Sequence, residues 1–578
     1  MFSLFIPNKG VNAESKFYAI HEKYEKYKIQ LASCNLIVVS WGSSAAPQVS
    51  TFGSLTVLLE GYCFYATKLL DVSEIFRLFS SGDLDKLRAL NGSFNIVIFN
   101  ALNNELTLFT DKFATRALFY SDTDSGFMLS GRLSAITHST TDVITFDPNS
   151  VSEYIYFGFF IQNGKTLFKN IFLTKSATEL TYRESILTKQ YWLPKANYRV
   201  PKHTRKKEFE LFYEGFQTVW NETFDRCDLV TGDSNSVLVP LSAGYDSRSI
   251  LSELAIRNTQ RLSAFTISTS PSYEADTAAL VAKALDVDHI ALTISSENFF
   301  NDYEIDRGVM LSDGMIFGTP YIPNSLYRSM RNKGNFVYSG FSGDPIMGSH
   351  TIPPSHDQSI SLGDYCFKKY SDYLSFENSS LDDLVDQNAL RSSIIESVEP
   401  FSDMPLTVGF DSWYMVNRNR YTTQMGVLAN RDEFDYILPF ADAELYDFTS
   451  SMNLEGRLER RYFIKAMERM YPESFSVRSS VSPPAFYKAK YFAIRALNRF
   501  RVTSCTYDMQ YKLDFSNLLN SDDAFSKYCF NAVENLEVRG VIPRYAGKKV
   551  VQDHLDGRRH YGLIDRLVSL HEICENYL

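Results

Sequence analysis

Little in this chain marks it as secreted, membrane-spanning or held by metal. Its seven cysteines (Cys34, Cys63, Cys227, Cys366, Cys505, Cys529 and Cys574) are odd in number, and no two stand at CxxC spacing. That argues against a disulfide framework and a structural zinc site, and fits a reduced, cytoplasmic protein. The opening MFSLFIPNKG has no basic stretch ahead of a long apolar run, so no secretory leader is read there. No run of about 18 apolar residues suggests a membrane span. Positive charge is in short supply: 58 Lys and Arg against 68 Asp and Glu leave a net charge of −10, which argues against a nucleic-acid-binding surface over the whole chain. There is no HExxH pair. GFSGD is no GxSxG elbow, because its second glycine follows the serine directly. A hydrolase triad therefore has no support.

What remains is an ordinary globular composition, 44% apolar and 22% charged over 578 residues, enough for two to four domains. Residues 1–195 read mostly as strands. TVLLEGYCFYAT (56–67), NGSFNIVIFN (91–100), ELTLFTD (105–111) and RALFYSD (116–122) are short, aromatic and β-branched, with turn residues between them. Helices are expected near 13–28 and 72–89. An α+β layered domain follows from this mixture. Prolines and basic residues over 191–207 read as a linker, placed at 196–210. From 211 to 578 the texture is α/β. The strand SVLVPL, the helix DSRSILSELAIRN, the strand LSAFTIS, the helix EADTAALVAKALDV and the strand HIALTIS alternate, as in a doubly wound parallel sheet, and a mainly helical region follows.

The junction VLVPLSAGYDSRSI (237–250) is the most informative stretch. Ser242, Ala243 and Gly244 let backbone approach a ligand closely. The N–H groups of such a turn, with the positive end of the following helix, make an anion nest, and Ser242 and Ser247 add hydroxyl donors. Asp246 is out of place beside an anion unless a cation accompanies it. A magnesium ion shared with phosphate oxygens would resolve the conflict. An N-capped helix after a tight turn would use the same residues. No Gly-Lys-Ser/Thr follows and no GxGxxG is present, so this is neither a Walker loop nor a dinucleotide fingerprint.

LSAGYDS resembles the SGGxDS pyrophosphate loop of asparagine synthetase-like proteins, including β-lactam synthetases and lasso-peptide cyclases. Further passages share the family's order. NGSFNIVIFN with LTLFTDKFATRALFYSD resembles the amidotransferase-like N-terminal domain, whose final "YW" is Tyr191-Trp192. YEADTAALVAKALDVDHIAL, YSGFSGDPIMG (338–348) and LPFADAEL (438–445) resemble successive synthetase motifs. The resemblance implies an Ntn-like layered domain joined to an ATP-pyrophosphatase domain, with ATP and Mg²⁺ as cofactors. It implies a carbon–nitrogen ligase that adenylates a carboxylate and passes the acyl group to ammonia or an amine. Carried over, Leu241, Ser242, Gly244, Asp246 and Ser247 would hold the nucleotide phosphates. Asp246 and Asp344 would hold the metal, and Ile267, Ser339 and Gly340 would line the adenosine pocket.

Some positions depart from the family. Phe2 stands where a glutamine-using member has its cysteine, so no glutaminase activity is expected and the first domain would serve as a scaffold. Phe341 replaces the glutamate of "SGEG", Pro345 replaces the acidic residue after Asp344, and Ile437 replaces an arginine. The late "RPK" lysine falls at Arg478-Ser479-Ser480 and is missing. Arg478, Lys488 and Lys490 are nearby substitutes among which spacing does not choose. The implied partners are carboxylate and amine substrates, small-molecule or peptide, with neither nucleic acid nor membrane; a homodimer is left open. Arg248 is read as an ion-pairing arginine or a phosphate contact. His289 is read as a core or capping residue. The cluster Asn417-Arg418-Asn419-Arg420 is read as either an acceptor site or a solvated or interdomain face. The basic pairs near 548–549 and 558–560 are read as surface.

Overall fold

The computed structural model describes residues 1–7, 27–33, 36–41, 47–140, 142–232, 236–268, 272–294, 309, 311–315, 324–353, 359–371, 384–424, 430–431, 433–479, 519–520, 522–557 and 560–578. The expected helix over 13–28 falls almost wholly outside them.

Two antiparallel sheets face each other in the first third of the chain. One runs in the order Phe172–Leu173, Phe119–Thr123, Gly126–Ser130, Phe2–Pro7, Leu36–Trp41, Tyr27–Ser33. The other runs Ile186–Gln190, Thr178–Tyr182, Glu105–Thr110, Asn91–Asn100, Leu55–Tyr65, Gln48–Phe52, with Lys68–Leu69 paired to Leu55–Tyr65. Alternation sorts their side chains. Phe2, Leu4, Leu58, Val97, Phe99 and Leu129 fill the space between the sheets. Val57, Leu59, Ile96 and Ile98 point the other way, beneath the helices Val72–Ser80 and Leu84–Arg88. Because both faces are covered, these strands read as near-continuous apolar runs. The helix Val72–Ser80 starts where expected because Asp71 and Glu74 form a reciprocal capping box.

The outer face of the first sheet is covered by the helix Pro148–Phe157 and by helices from the end of the chain. Phe5, Met128 and Phe119 share one core with Leu563, Ile564 and Leu567. Arg566 donates to the carbonyls of Ile155 (2.8 Å) and Tyr156 (2.6 Å), fixing the helix Tyr561–Tyr577 there.

The segment read as a linker is packed. Asn197 N–H donates to the Ser450 carbonyl at 2.8 Å, and the 27-residue helix Arg205–Thr231 begins inside the basic stretch. Beyond it lies a parallel five-stranded sheet in the order Asp288–Thr293, Leu262–Ser268, Val237–Pro240, Phe336–Tyr338, Asp435–Ile437. Val237–Pro240 comes first in sequence and third in space, with later strands on both sides. The crevice at its carboxyl end is therefore the switch point, where open α/β sheets place their ligands.

Candidate nucleotide site at the switch point

The loop Leu241–Tyr245 leaves Val237–Pro240 at that crevice and leads into the helix Asp246–Ile256. Its path is pinned from the neighbouring strand. Leu241 N–H donates to the Phe265 carbonyl at 2.8 Å, and Thr266 Oγ1 donates to the Leu241 carbonyl at 2.7 Å. Ser242 N–H donates to Ser247 Oγ at 3.1 Å, the two serine hydroxyls lie 3.0 Å apart, and Gly244 N–H donates to Ser242 Oγ at 3.2 Å. These donors and hydroxyls are folded onto one another around a small turn, a geometry that could receive an anion if they exchanged these contacts for it.

Asp246 opens the helix, and the Ser339–Asp344 loop closes over it from the next strand. A Cβ at Gly343 would stand 2.6 Å from Asp246 Cγ, and one at Gly340 would stand 3.1 Å from Ser247 N. Only glycine allows the two loops this close. Ser342 sits in the left-handed region (φ 64°), and its hydroxyl accepts a hydrogen bond from Asn419 Nδ2 at 2.8 Å. The turn brings Asp344 against Asp246. Burial and the Asp344 charge raise the Asp246 carboxyl well above the carboxylate range, although the Arg460 guanidinium opposes the rise. Full ionisation of both carboxylates beside a single guanidinium is therefore disfavoured, and a further cation would relieve it. Two hard carboxylate donors in that condition suit a divalent cation such as Mg²⁺.

Beside the loop is a cavity of about 200 Å³ lined by Pro240, Leu241, Ser242, Phe265, Thr266, Ile267, Glu274 and Tyr327. Leu241, Ser242 and Ile267 thus share one cavity wall. Ser339 and Gly340 lie on the opposite wall of the crevice, where Ser339 N–H donates to the Ile437 carbonyl at 3.0 Å. His289 is turned inward, its Nε2 2.9 Å from Thr266 Oγ1, and burial lowers its pKa.

Other residues go elsewhere. Arg248 is fully buried and donates to the carbonyls of Ala243, Ser474 and Val477, so it ties the loop to the chain beyond rather than forming an ion pair. Phe341 is packed in the core. Arg420 is buried and donates to Asn163 Oδ1 (2.6 Å) and to the Thr174 carbonyl, an internal contact with the first third of the chain, whereas Asn419 reaches Ser342. The Arg478 side chain is exposed, and its carbonyl accepts from Tyr273 Oη at 3.4 Å. Ser480, Lys488 and Lys490 lie outside the described residues. The cation that does touch the carboxylate pair is Arg460, which sequence reasoning missed: Nη1 is 3.5 Å from Asp246 Oδ1 and is paired with Asp344 Oδ1. The basic run LERR ahead of an amphipathic helix is the only signal that pointed there.

Residues 232–393 match the asparagine synthase family model, and residues 65–192 match the glutamine amidotransferase domain model. An amidotransferase-like domain is thus followed in one chain by a synthetase domain. The chain belongs to the asparagine synthetase-like family, whose members are ATP-dependent carbon–nitrogen ligases. No curated protein matches it. Among solved structures it is similar to glutamine phosphoribosylpyrophosphate amidotransferase from B. subtilis, complexed with ADP and GMP. The identity is 10%, with 71% of this chain and 95% of that chain covered and a TM-score of 0.24. An allosteric regulatory enzyme of purine biosynthesis matches at 10% identity, covering 68% and 91%, with a TM-score of 0.23. Superpositions this loose inform neither fold nor function. No described helix is long and apolar enough to cross a membrane.

Proposed function

We propose that the chain uses Mg²⁺-ATP to activate a carboxylate as its acyl-adenylate and transfers the acyl group to ammonia or an amine. The observation that carries this is the Ser242–Ser247 nest facing the Asp246–Asp344 pair beside the cavity at Ile267. In the first step a carboxylate oxygen attacks the α-phosphorus, the bond to the β-phosphate oxygen breaks, and pyrophosphate leaves. The nest's N–H and hydroxyl donors would take up charge on the departing pyrophosphate. Asp246 and Asp344 would hold Mg²⁺, which neutralises phosphate charge when bound. In the second step the amine nitrogen attacks the acyl carbon, the C–O bond to AMP breaks, and the nitrogen loses a proton. With Phe341 in the core, that proton needs an acceptor other than the family glutamate.

Residues 1–195 act in this reading as a scaffold without glutaminase activity, residues 196–210 as a packed connection, and residues 211–578 as the synthetase. Cys63 supports the first assignment: it is fully buried and its thiol is pushed far up by burial. A pyrophosphate-exchange assay over candidate acids tests the chemistry. Exchange should appear with the cognate acid and vanish in Asp246→Ala and Asp344→Ala; exchange that survives both removes their roles. Closure of a lactam or a peptide ring is the same chemistry with an internal amine, and the acceptor screen distinguishes it. A second reading, a nucleotide-binding protein without turnover, draws on Arg460 lying between the carboxylates. Calorimetry showing Mg²⁺-ATP binding with no AMP formed from any acid would favour it.

A further inference from the structure

The loop Leu458–Arg460 joins two helices, Leu454–Arg457 and Arg461–Met470, by an unusual route. Glu459 (φ 54°, ψ 23°) and Arg460 (φ 60°, ψ 28°) are both left-handed, and neither is glycine. Two such residues in succession persist only where their surroundings dictate the geometry, and strain of this kind gathers at functional sites. One anchor is plain. Arg457 is fully buried, pairs with Asp411 at 3.2 Å, and donates to the carbonyls of Pro345 (3.0 Å) and Ile346 (2.6 Å). Those carbonyls belong to the short helix that carries Asp344. The loop is thereby fastened to the element it serves, and the left-handed pair turns the Arg460 side chain back over it. There the guanidinium stacks over the Tyr245 ring at 5.5 Å, next to the phosphate nest, and bridges Asp246 and Asp344. The Arg460 side chain is 13% exposed and Asp344 52%, so the bridge is open to solvent on one side.

We infer that Arg460 is the displaceable counter-cation of this site: it holds the carboxylate pair when no nucleotide is bound, excludes a free divalent cation from it, and swings onto the nucleotide phosphates when Mg²⁺-ATP enters. The inference rests on the ATP-using reading of the site. It supplies the phosphate-facing cation that the missing family lysine leaves wanting. A guanidinium suits both tasks, because its planar fork matches carboxylate and phosphate oxygens alike. Divalent cation and nucleotide then bind together, since only phosphate offers the arginine a better place than the carboxylates.

Two measurements on the full chain test this. Mn²⁺ binding to nucleotide-free protein is read by electron paramagnetic resonance. The wild type should take up no Mn²⁺ at the pair at millimolar metal. Arg460→Gln should bind it at least tenfold more tightly, and Arg460→Gln with Asp344→Asn should lose it again. Equal Mn²⁺ binding by wild type and Arg460→Gln would overturn the inference. Calorimetric titration with Mg²⁺-ATP should show affinity weakened at least tenfold in Arg460→Gln and largely restored in Arg460→Lys; unchanged affinity in Arg460→Gln overturns the phosphate role. Thermal melts of each variant identify any that misfolds, and the neutral Arg460→Met then carries the Mn²⁺ comparison in place of Arg460→Gln. If wild type binds no ATP at all, the ATP-using reading fails, while the Mn²⁺ comparison still reports what Arg460 does.

Discussion

Ser247 makes two contacts within the turn. Its hydroxyl accepts from Ser242 N–H at 3.1 Å and lies 3.0 Å from Ser242 Oγ, holding the turn open as a nest. Replacing it by alanine removes a partly exposed polar contact worth about 1 kcal/mol to the fold. The melting temperature should barely move. If the nest receives pyrophosphate, the exchange rate should drop about 100-fold, as for loss of one preorganised donor. Glu60 is a contrasting case, important to the fold and remote from the nest. It is fully buried. Burial alone would raise its carboxyl, but the Met1 amine 3.5 Å away, Arg116, the Asn95 amide and Arg431 outweigh burial and hold it below its ordinary value of 4.5. A folded pKa below the unfolded one adds stability that is present above about pH 4.5 and is lost as pH falls through the lowered value. Glu60→Gln should therefore cost about 3 kcal/mol in urea unfolding at pH 7, and the difference should shrink toward pH 3.

The helix Ala443–Ser450 shows how one side chain can join elements far apart in sequence. Asp442 caps it through the N–H groups of Glu444 (2.9 Å) and Leu445 (3.1 Å). The same carboxylate pairs with Arg226 of the long helix at 2.8 Å and accepts from Asn91 Nδ2 of the first domain at 2.8 Å. Asp442→Ala removes the helix cap and leaves buried Arg226 with only the half-exposed Glu444 (2.9 Å) as a partner, so a loss of about 3 kcal/mol is expected in equilibrium unfolding. The motif around Asp442 was legible in the sequence, as were the strands Asn91–Asn100 and Leu262–Ser268, because local pattern and tertiary need agree there. The linker was misjudged in part. Proline and basic residues signal a break, but tertiary hydrogen bonds from Asn197 and Arg199 to the Ser450–Met452 turn hold the segment down, and the helix starts at Arg205. Arg460 was illegible for a different reason. Its position depends on two consecutive left-handed residues that carry no glycine or asparagine to announce them.

Buried polar contacts tie the two halves of the molecule together at several separate points. Asp313 receives Arg132 at 3.2 Å and Arg431 at 2.7 Å, Tyr421 Oη accepts from Gly164 N–H at 2.7 Å, and Trp192 packs edge-on against both Phe113 and Tyr446. Domain interfaces of this kind melt as one unit rather than two. Calorimetry should give a single transition, with the calorimetric enthalpy close to the van't Hoff value. Two resolved transitions would count against such coupling.

The helix Tyr561–Tyr577 covers a sheet whose first strand is Phe2–Pro7. On a ribosome those partners emerge roughly 30–110 s apart at ordinary elongation rates. The sheet must wait, one apolar face uncovered, until a helix far later in the chain has been made. Its maturation is therefore timed by synthesis of that helix, and products truncated before it should be the species that chaperones and proteases find first.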